Sequence, residues 1–217
     1  ALPAILKTTS PRTWAFALLG IHEYMQRFEG DRFVNQIRNQ LAERLVSLYH
    51  SCYSGKWQWF EDRLTYCNAV LPHAMLICGK CIPNSNMTEI GLESLSWLTN
   101  LQCTKGQEGH FSPIGSNGFY IQGGERALFD QQPVEAQTMA SACLEAHRCT
   151  GEQYWLQEAH CTFEWFLGRN DVGLPIYDPT TGGCRDGLHT DRPNENQGAE
   201  STLAFIQTLL ELRLAEN

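Results

Sequence analysis

Long amphipathic helix patterns alternate with connectors rich in glycine, asparagine and aspartate, and this alternation constrains the fold more than any other feature. Ser10 and Pro11 are of the residue types that favour an N-cap and a first helical position. Gly30 and Asp31 end that helix and begin the next, whose apolar residues recur at steps of three and four. The N-terminal part of the chain is therefore predicted to form a helical hairpin.

The same periodicity predicts five more helices, over about residues 71–81, 87–101, 133–148, 152–166 and 196–214. Thr150 and Gly151 provide a turn between two of them. No strand pattern competes with the helices, although residues 118–122 have room for a short ribbon. The fold class is therefore predicted to be all-α, with about seven helices paired as in a toroid of stacked hairpins.

The charge and hydropathy of the chain exclude two classes of partner. The formal net charge is −8, whereas nucleic-acid binding relies on a basic surface that neutralises phosphates. The longest apolar runs fall short of the ~20 residues that span a bilayer. We therefore expect neither a nucleic-acid partner nor a membrane partner.

The nine cysteines lie mostly on predicted helix faces, where a free thiol packs as a small hydrophobe. This placement favours a reduced, cytoplasmic protein over a disulfide framework. Cys78 and Cys81 form one CxxC pair, but the second ligand pair that a structural zinc needs is missing. The sequence predicts no metal site and no cofactor.

Three connectors, residues 56–68, 109–132 and 168–197, concentrate aromatic, carboxylate and amide side chains. Connectors between helices lie on the surface and often carry function. A sugar presents a C–H face that stacks on an aromatic ring and hydroxyl groups that need directed hydrogen bonds. Cleavage of a glycosidic bond needs two carboxyl groups, one of them held protonated as the acid. The connectors therefore indicate a protein that handles a carbohydrate.

The candidate site residues all come from these connectors or their edges. The carboxylates that are candidates for general acid–base catalysis are Glu61, Asp62, Asp130 and Glu195. The candidates for substrate binding are Trp57, Trp59, His110, Tyr120, Arg126, Gln131, Tyr177, Arg185, Asp186, His189 and Asn196.

Several of these residues also have a purely structural interpretation. The aromatic residues of the segment 57–60 are equally suited to packing in the core. Glu61 or Asp62 has the chemistry to cap the following helix, and Asp130 is well placed to cap the helix that Pro133 begins. Glu195 or Asn196 would cap the last helix in the same way.

Five segments together resemble a known helical domain. They are WFEDRLTYCNA (59–69), GHFSPIG (109–115), RALFDQQPVEA (126–136), EWFLGRNDVGLPIYDPTTGGCRDGL (164–188) and NENQGAESTLAF (194–205). The domain that they resemble occurs in bacterial proteins described as glycosyltransferases, where it commonly follows a nucleotide-sugar transferase module. It is similar to the six-hairpin (α/α) glycosidase-like superfamily, which includes acylglucosamine 2-epimerase-like folds.

The resemblance runs from Pro11 onward and implies an (α/α)6 toroid of about twelve helices. Because only about seven are predicted here, we expect residues 1–217 to form a single domain that is the C-terminal portion of a larger toroid. A homodimer, or the missing N-terminal half, would then complete it. No transferase module is present, so the transferase activity is not carried over to this chain.

Three functions are compatible with these residues. The first is a glycoside hydrolase-like enzyme that acts on a small oligosaccharide through carboxylate acid–base chemistry. The second is a non-catalytic glycan-binding or accessory domain, which keeps the aromatic surface but has no proton-transfer pair. The third is a sugar epimerase or isomerase in which His110 or His189 is the base. The sequence favours the first.

Overall fold

The computed structural model describes residues 2–83, 86–104 and 109–216, and within them the protein is all-α, as predicted. The described helices are α1 (Leu2–Ile5), α2 (Pro11–Met25), α3 (Arg32–Cys52), α4 (Val70–Cys81), α5 (Met87–Gln102), α6 (Pro133–Thr150), α7 (Gln153–Glu164) and α8 (Ala199–Ala215). A 3-10 helix, Trp165–Leu167, follows α7 directly. The described strands are β1 (Arg63–Leu64), β2 (Tyr120–Ile121), β3 (Tyr177–Asp178) and β4 (Gly183–Cys184).

The chain divides into two compact units. Unit 1 consists of the described residues up to Asp62 together with Val70–Trp97, and unit 2 consists of Arg63–Ala69 together with the described residues from Leu98 onward. None of the described helices is long and apolar enough to cross a membrane. The arrangement of the hairpins in a toroid stays a prediction.

The first hairpin of unit 1 begins at the predicted Ser10 cap and its second helix starts at the predicted Asp31 cap, although α2 already ends at Met25 and not at Gly30. The Ser10 hydroxyl accepts a hydrogen bond from the Thr13 amide at the start of α2, 3.4 Å away. The Asp31 carboxylate accepts from the Val34 amide at the start of α3, at 3.0 Å. Each bond satisfies an amide that has no partner within its helix, so each cap fixes where its helix starts.

The core of unit 1 is formed where α2, α3 and α4 pack against one another. Leu18, Leu41, Leu45 and Leu71 are fully buried there. On its other side, α4 approaches α5 so closely that a side chain on Gly79 would place its Cβ 2.1 Å from the Thr88 hydroxyl. Glycine is therefore required at that crossing.

Unit 2 is organised around α6, which packs against both α7 and α8. Gly151 ends α6 in the left-handed conformation, with φ of 73°, as the predicted turn requires. Strands β1 and β2 pair antiparallel, with Leu64 opposite Tyr120, so residues 118–122 contribute one strand of a short ribbon. All nine cysteines of the chain are free thiols.

The predicted caps of the later helices are wrong. Gln132, and not Asp130, occupies the N-cap position of α6, and its side chain makes no capping bond. The last helix begins at Ala199 with Gly198 as its N-cap, so neither Glu195 nor Asn196 caps it. In unit 1, neither Glu61 nor Asp62 caps α4, because that helix begins only at Val70.

A buried carboxyl group links α8 to α6. Glu211 of α8 accepts a hydrogen bond of 2.6 Å from the Ser141 hydroxyl of α6. Burial raises the pKa of Glu211, and the Ser141 bond and the charge of Arg148 only partly oppose this. Because the folded state holds this proton more tightly than the unfolded chain does, stability falls as the pH rises through the interval between the ordinary and the raised pKa.

We expect Glu211→Gln to stabilise the protein at pH 7 to 8 by an amount on the order of 1 kcal/mol, because the amide still accepts from Ser141 without a buried charge. The gain should vanish at acidic pH, where Glu211 is protonated in both states. Urea unfolding across this pH range measures it, with the exposed Glu125→Gln as the control. A gain in the free energy of unfolding that is the same at every pH would contradict the raised pKa of Glu211.

Candidate functional site

Asp130 and His189 form a partly exposed pair on unit 2. The Asp130 Oδ1 and His189 Nδ1 atoms are 2.5 Å apart, and the two side chains are 45% and 32% exposed. A neutral imidazole that donates its Nδ1–H to a carboxylate keeps its lone pair on Nε2. The Asn194 amide nitrogen lies 3.5 Å from that Nε2 atom, on the side where it can donate. The pair therefore presents both an oriented carboxylate and an oriented imidazole.

The backbone brings the two side chains together through a short antiparallel bridge. Gln131 and Leu188 exchange both of their backbone hydrogen bonds, at 3.0 and 2.9 Å. Neighbouring side chains on a strand point to opposite faces, so Asp130 and His189 face each other on the side opposite to Gln131 and Leu188. Gln131 and Leu188 are fully buried. The exposed pair thus stands directly above a buried bridge.

The segment that carries His189 folds back on itself as a narrow loop, which we call the site loop (residues 185–198). Leu188 also bridges to Pro193, and the His189 amide donates to the Arg192 carbonyl. At the base of the loop the Asp186 amide donates to the Asn196 carbonyl at 2.9 Å. These bonds place Asn194, Glu195 and Asn196 on the same loop as His189.

A second hydrogen-bonded group supports the bridge from below. The Gln131 amide nitrogen donates to Asp171 at 2.5 Å and to the Leu128 carbonyl at 2.9 Å. Its amide oxygen accepts from the buried Trp165 indole at 2.8 Å. His110 Nε2 lies 3.2 Å from the other oxygen of Asp171. The side chain of Gln131 is therefore held on every polar atom, which fixes its rotamer.

Asp171 carries the charge of this group. Partial burial alone would raise the pKa of Asp171, but the hydrogen bonds from Gln131, Ser112 and His110 outweigh it and lower the pKa. The carboxylate is therefore stabilised in its ionised form in the folded state. His110, a predicted binding residue, lies in this group, with its side chain 22% exposed.

Two predicted binding residues of unit 2 serve the fold instead. The guanidinium of Arg126 donates to the backbone carbonyls of Leu101, Ser112 and Pro113. Burial lowers the pKa of Arg126, and the nearby charge of Asp171 partly opposes this. Asp186 accepts from the Gly198 amide at 2.7 Å and thereby holds the start of α8. The terminal nitrogens of Arg126 and the Asp186 carboxylate are thus already bonded within the protein.

The remaining predicted residues of unit 2 stay near the surface. The Tyr177 ring stacks on Phe205, with centroids 4.1 Å apart and planes 14° from parallel, so one of its faces is covered. Tyr120 lies in the β1–β2 ribbon and is half-buried. Arg185 reaches the Asn194 carbonyl at 3.5 Å and Asp178 at 3.7 Å. Glu195 and Asn196 are exposed.

The tryptophans predicted as a sugar platform belong to the core of unit 1. Trp57 is 3% exposed and Trp59 is 0% exposed, and both rings pack against Trp97. The prediction of an exposed stacking surface is therefore wrong, and the packing interpretation is the correct one. Aromatic area of this size is more stabilising in the core than on the surface.

The two candidate carboxylates of unit 1 differ in their surroundings. Glu61 accepts a hydrogen bond of 2.6 Å from the buried Arg12 guanidinium, and its carbonyl accepts from the Trp57 indole at 2.7 Å. Glu61 is thus bound as a partner of a buried cation. Asp62 is exposed at the end of the unit 1 segment.

Sequence reasoning missed the roles of Asp171 and Asn194. Asp171 is one of many loop carboxylates, and Asn194 is one of several polar residues in the segment 194–205. No local signal marks either residue, because each acts on a partner far away in the sequence or across a turn. Among the described residues, no group of three His, Cys, Asp or Glu side chains has the geometry of a metal site.

The fold and the site together define an all-α protein that carries an oriented carboxylate–histidine pair on its interhelical loops. No family model matches the chain, and no curated protein is similar enough to be counted as a relative.

We expect Asp171→Asn to lower the free energy of unfolding at pH 7 by about 1.5–3 kcal/mol, because the amide turns a donor towards Gln131 or His110. The stabilisation from a lowered carboxyl pKa is present above the ordinary pKa and is lost as the pH falls through the lowered one. The difference from wild type should therefore shrink towards pH 3 in urea unfolding. Asp191→Asn is the control, since Asp191 is an exposed carboxylate that accepts from its neighbour Arg192. A loss of unfolding free energy that has the same size at every pH would contradict the lowered pKa of Asp171.

Proposed function

We propose that this chain is a carbohydrate-active protein of the glycoside hydrolase-like class, acting on a small oligosaccharide at the site loop of unit 2. The observation that carries the proposal is the Asp130–His189 pair, whose facing atoms are 2.5 Å apart while both side chains keep access to solvent. The resemblance of the loop segments to glycosidase-like helical domains supports the same class. The all-α fold alone would not support a function, since fold does not fix function.

The polar groups around the pair suit a sugar. The side-chain amides of Asn194 and Asn196 can both donate and accept hydrogen bonds, and the guanidinium of Arg185 has several N–H donors. Hydroxyl groups need such mixed, directional partners, whereas a purely anionic ligand would favour a cluster of cations. Tyr177 has one covered face and therefore at most one face for stacking.

In the proposed reaction Asp130 is the base and Glu195 the acid. The Oδ2 atom of Asp130, which His189 does not contact, takes a proton from water as the water oxygen attacks the anomeric carbon. Glu195 donates a proton to the departing glycosidic oxygen, so the bond breaks without a free alkoxide. His189 holds the carboxylate of Asp130 in place. Inversion would require the two carboxyl groups to stand roughly 6.5–9.5 Å apart around the substrate.

A sugar epimerase is the second candidate, and the tautomer of His189 favours it. With Nδ1–H donated to Asp130, Nε2 carries the lone pair, and a substrate that displaces the 3.5 Å contact of Asn194 would give up a proton beside its sugar carbonyl to that atom. Asp130 then orients the imidazole and stabilises its charged form, as carboxylates do in other catalytic pairs. The two candidates differ in product: one releases a new reducing end and the other changes a configuration.

The proposal extends to the toroid, the cellular environment and the partner of this site. We propose that the helical hairpins belong to an (α/α) toroid that a second copy or an N-terminal half completes. The free state of all nine cysteines supports a reducing, cytoplasmic environment. An oligosaccharide or glycan is the proposed partner.

We expect Asp130→Asn to lower sugar turnover by about 10²–10⁴-fold, because it removes the base but keeps the shape of the side chain. A panel of mono- and oligosaccharides is screened first for binding by saturation-transfer NMR. Reducing-end release and epimer-resolving chromatography then measure turnover of the sugars that bind. Glu195→Gln should lower hydrolysis similarly, whereas His189→Gln should abolish epimerisation more completely than hydrolysis.

Asp191→Asn is the matched control on the site loop and should keep full activity, because Asp191 is exposed and pairs with its exposed neighbour Arg192. Turnover that is lowered in none of these variants would place the reaction elsewhere. Binding without any turnover by the wild-type chain would refute the enzyme and identify a glycan-binding domain.

A further inference from the structure

A small cavity of unit 1 is separate from the loops that carry the proposed carbohydrate site. It lies between the end of α3 and the start of α5 and has a volume of about 200 Å³. The described residues that line it are Tyr49, His50, Tyr53, Asn86, Glu89, Ile90 and Glu93. All of them belong to unit 1.

The two tyrosines of the cavity are fixed by one carboxylate. The Tyr49 hydroxyl donates to one oxygen of Glu93 at 2.7 Å, and the Tyr53 hydroxyl donates to the other at 3.1 Å. Their rings lie 5.3 Å apart, with an angle of 47° between the planes. The rings therefore form a corner and not a stack, and their positions are held without a ligand.

The described lining of the cavity is negatively charged. Its lining includes two carboxylates, Glu89 and Glu93, but no lysine or arginine. Neither carboxylate forms an ion pair with any residue that the structure describes. His50 is the only described lining residue that can become positive, and its ring lies 3.5 Å from the Asn86 amide, which can donate to it.

Aromatic ring faces and carboxylates attract the same kind of ligand. The face of a tyrosine ring carries partial negative charge and binds ammonium groups through cation–π attraction. Carboxylates that face the same space add a direct attraction for positive charge, and each oxygen of Glu93 keeps a lone pair beyond its tyrosine bond. An anion would meet repulsion from both kinds of group.

We propose that this cavity binds the alkylammonium group of a small organic cation. The volume supports a single head group, because pockets for larger ligands usually enclose 300–1,000 Å³. The buried Ile90 supplies an apolar floor for the methyl or methylene groups next to the nitrogen. A neutral sugar ring would leave the two negative charges uncompensated. This assignment is independent of the proposed carbohydrate function of unit 2.

The test is a titration of the full chain with tetramethylammonium chloride, followed by amide NMR shifts. We expect millimolar binding, with the shifted amides confined to the ends of α3 and α5 that line the cavity. Tert-butanol, a neutral molecule of similar shape, should bind at least about tenfold more weakly because it lacks the charge. Choline and a peptide containing trimethyllysine then distinguish a free small molecule from a modified protein side chain as the source of the alkylammonium group.

Four variants separate charge from shape. Glu93→Gln and Glu89→Gln should each weaken tetramethylammonium binding by about threefold to tenfold, and Tyr53→Leu by a similar factor. Tyr53→Phe keeps the ring face and should stay within about twofold of wild type. Glu43→Gln is the control, since Glu43 is an exposed carboxylate elsewhere on α3. Should Glu93→Gln disturb the tyrosines, the exposed Glu89 still provides the charge test.

Two results would overturn the proposal. One is equal affinity for tetramethylammonium and tert-butanol, which would show that charge plays no part. The other is an unchanged affinity in both Glu89→Gln and Tyr53→Leu, or shifts that map outside the cavity.

Discussion

The hydrogen bonds of Gln131 are the constraint on which the candidate site depends. Gln131 is fully buried, so every polar group that it brings into unit 2 must find a partner there. Its backbone pairs with Leu188, its amide nitrogen donates to Asp171, and its amide oxygen accepts from Trp165. A buried amide left unpaired costs about 1–3 kcal/mol, so these bonds strongly favour one arrangement of the connecting loops.

The buried bridge between Gln131 and Leu188 sets the geometry of the partly exposed Asp130–His189 pair. Asp130 and His189 are the residues next to Gln131 and Leu188, and the alternation of side chains along paired strands turns them outward together. Neither residue lies in a helix, and no helix terminus positions them. The arrangement is a small piece of β-like pairing within an all-α protein, and it aligns two side chains from distant parts of the sequence.

Local signals predicted the helices well and the loops poorly. Ser10 and Asp31 cap their helices as expected because an N-cap acts on an amide only three residues away. Asp130 fits the same rule but instead contacts His189, which lies 59 positions further along the chain. The start of α8 is held by Asp186 across the site loop, a contact that no residue pattern near Gly198 indicates.

The sequence by itself determined the all-α class, the helical hairpins and the turn at Gly151, since periodicity and caps act within a few residues. It also placed Asp130, Gln131 and His189 among the candidates by residue type alone. Only the tertiary structure decided that Trp57 and Trp59 are core residues and that Arg126 clamps backbone carbonyls. Burial and long-range pairing depend on which segments meet, and that is a property of the folded chain and not of any window of its sequence.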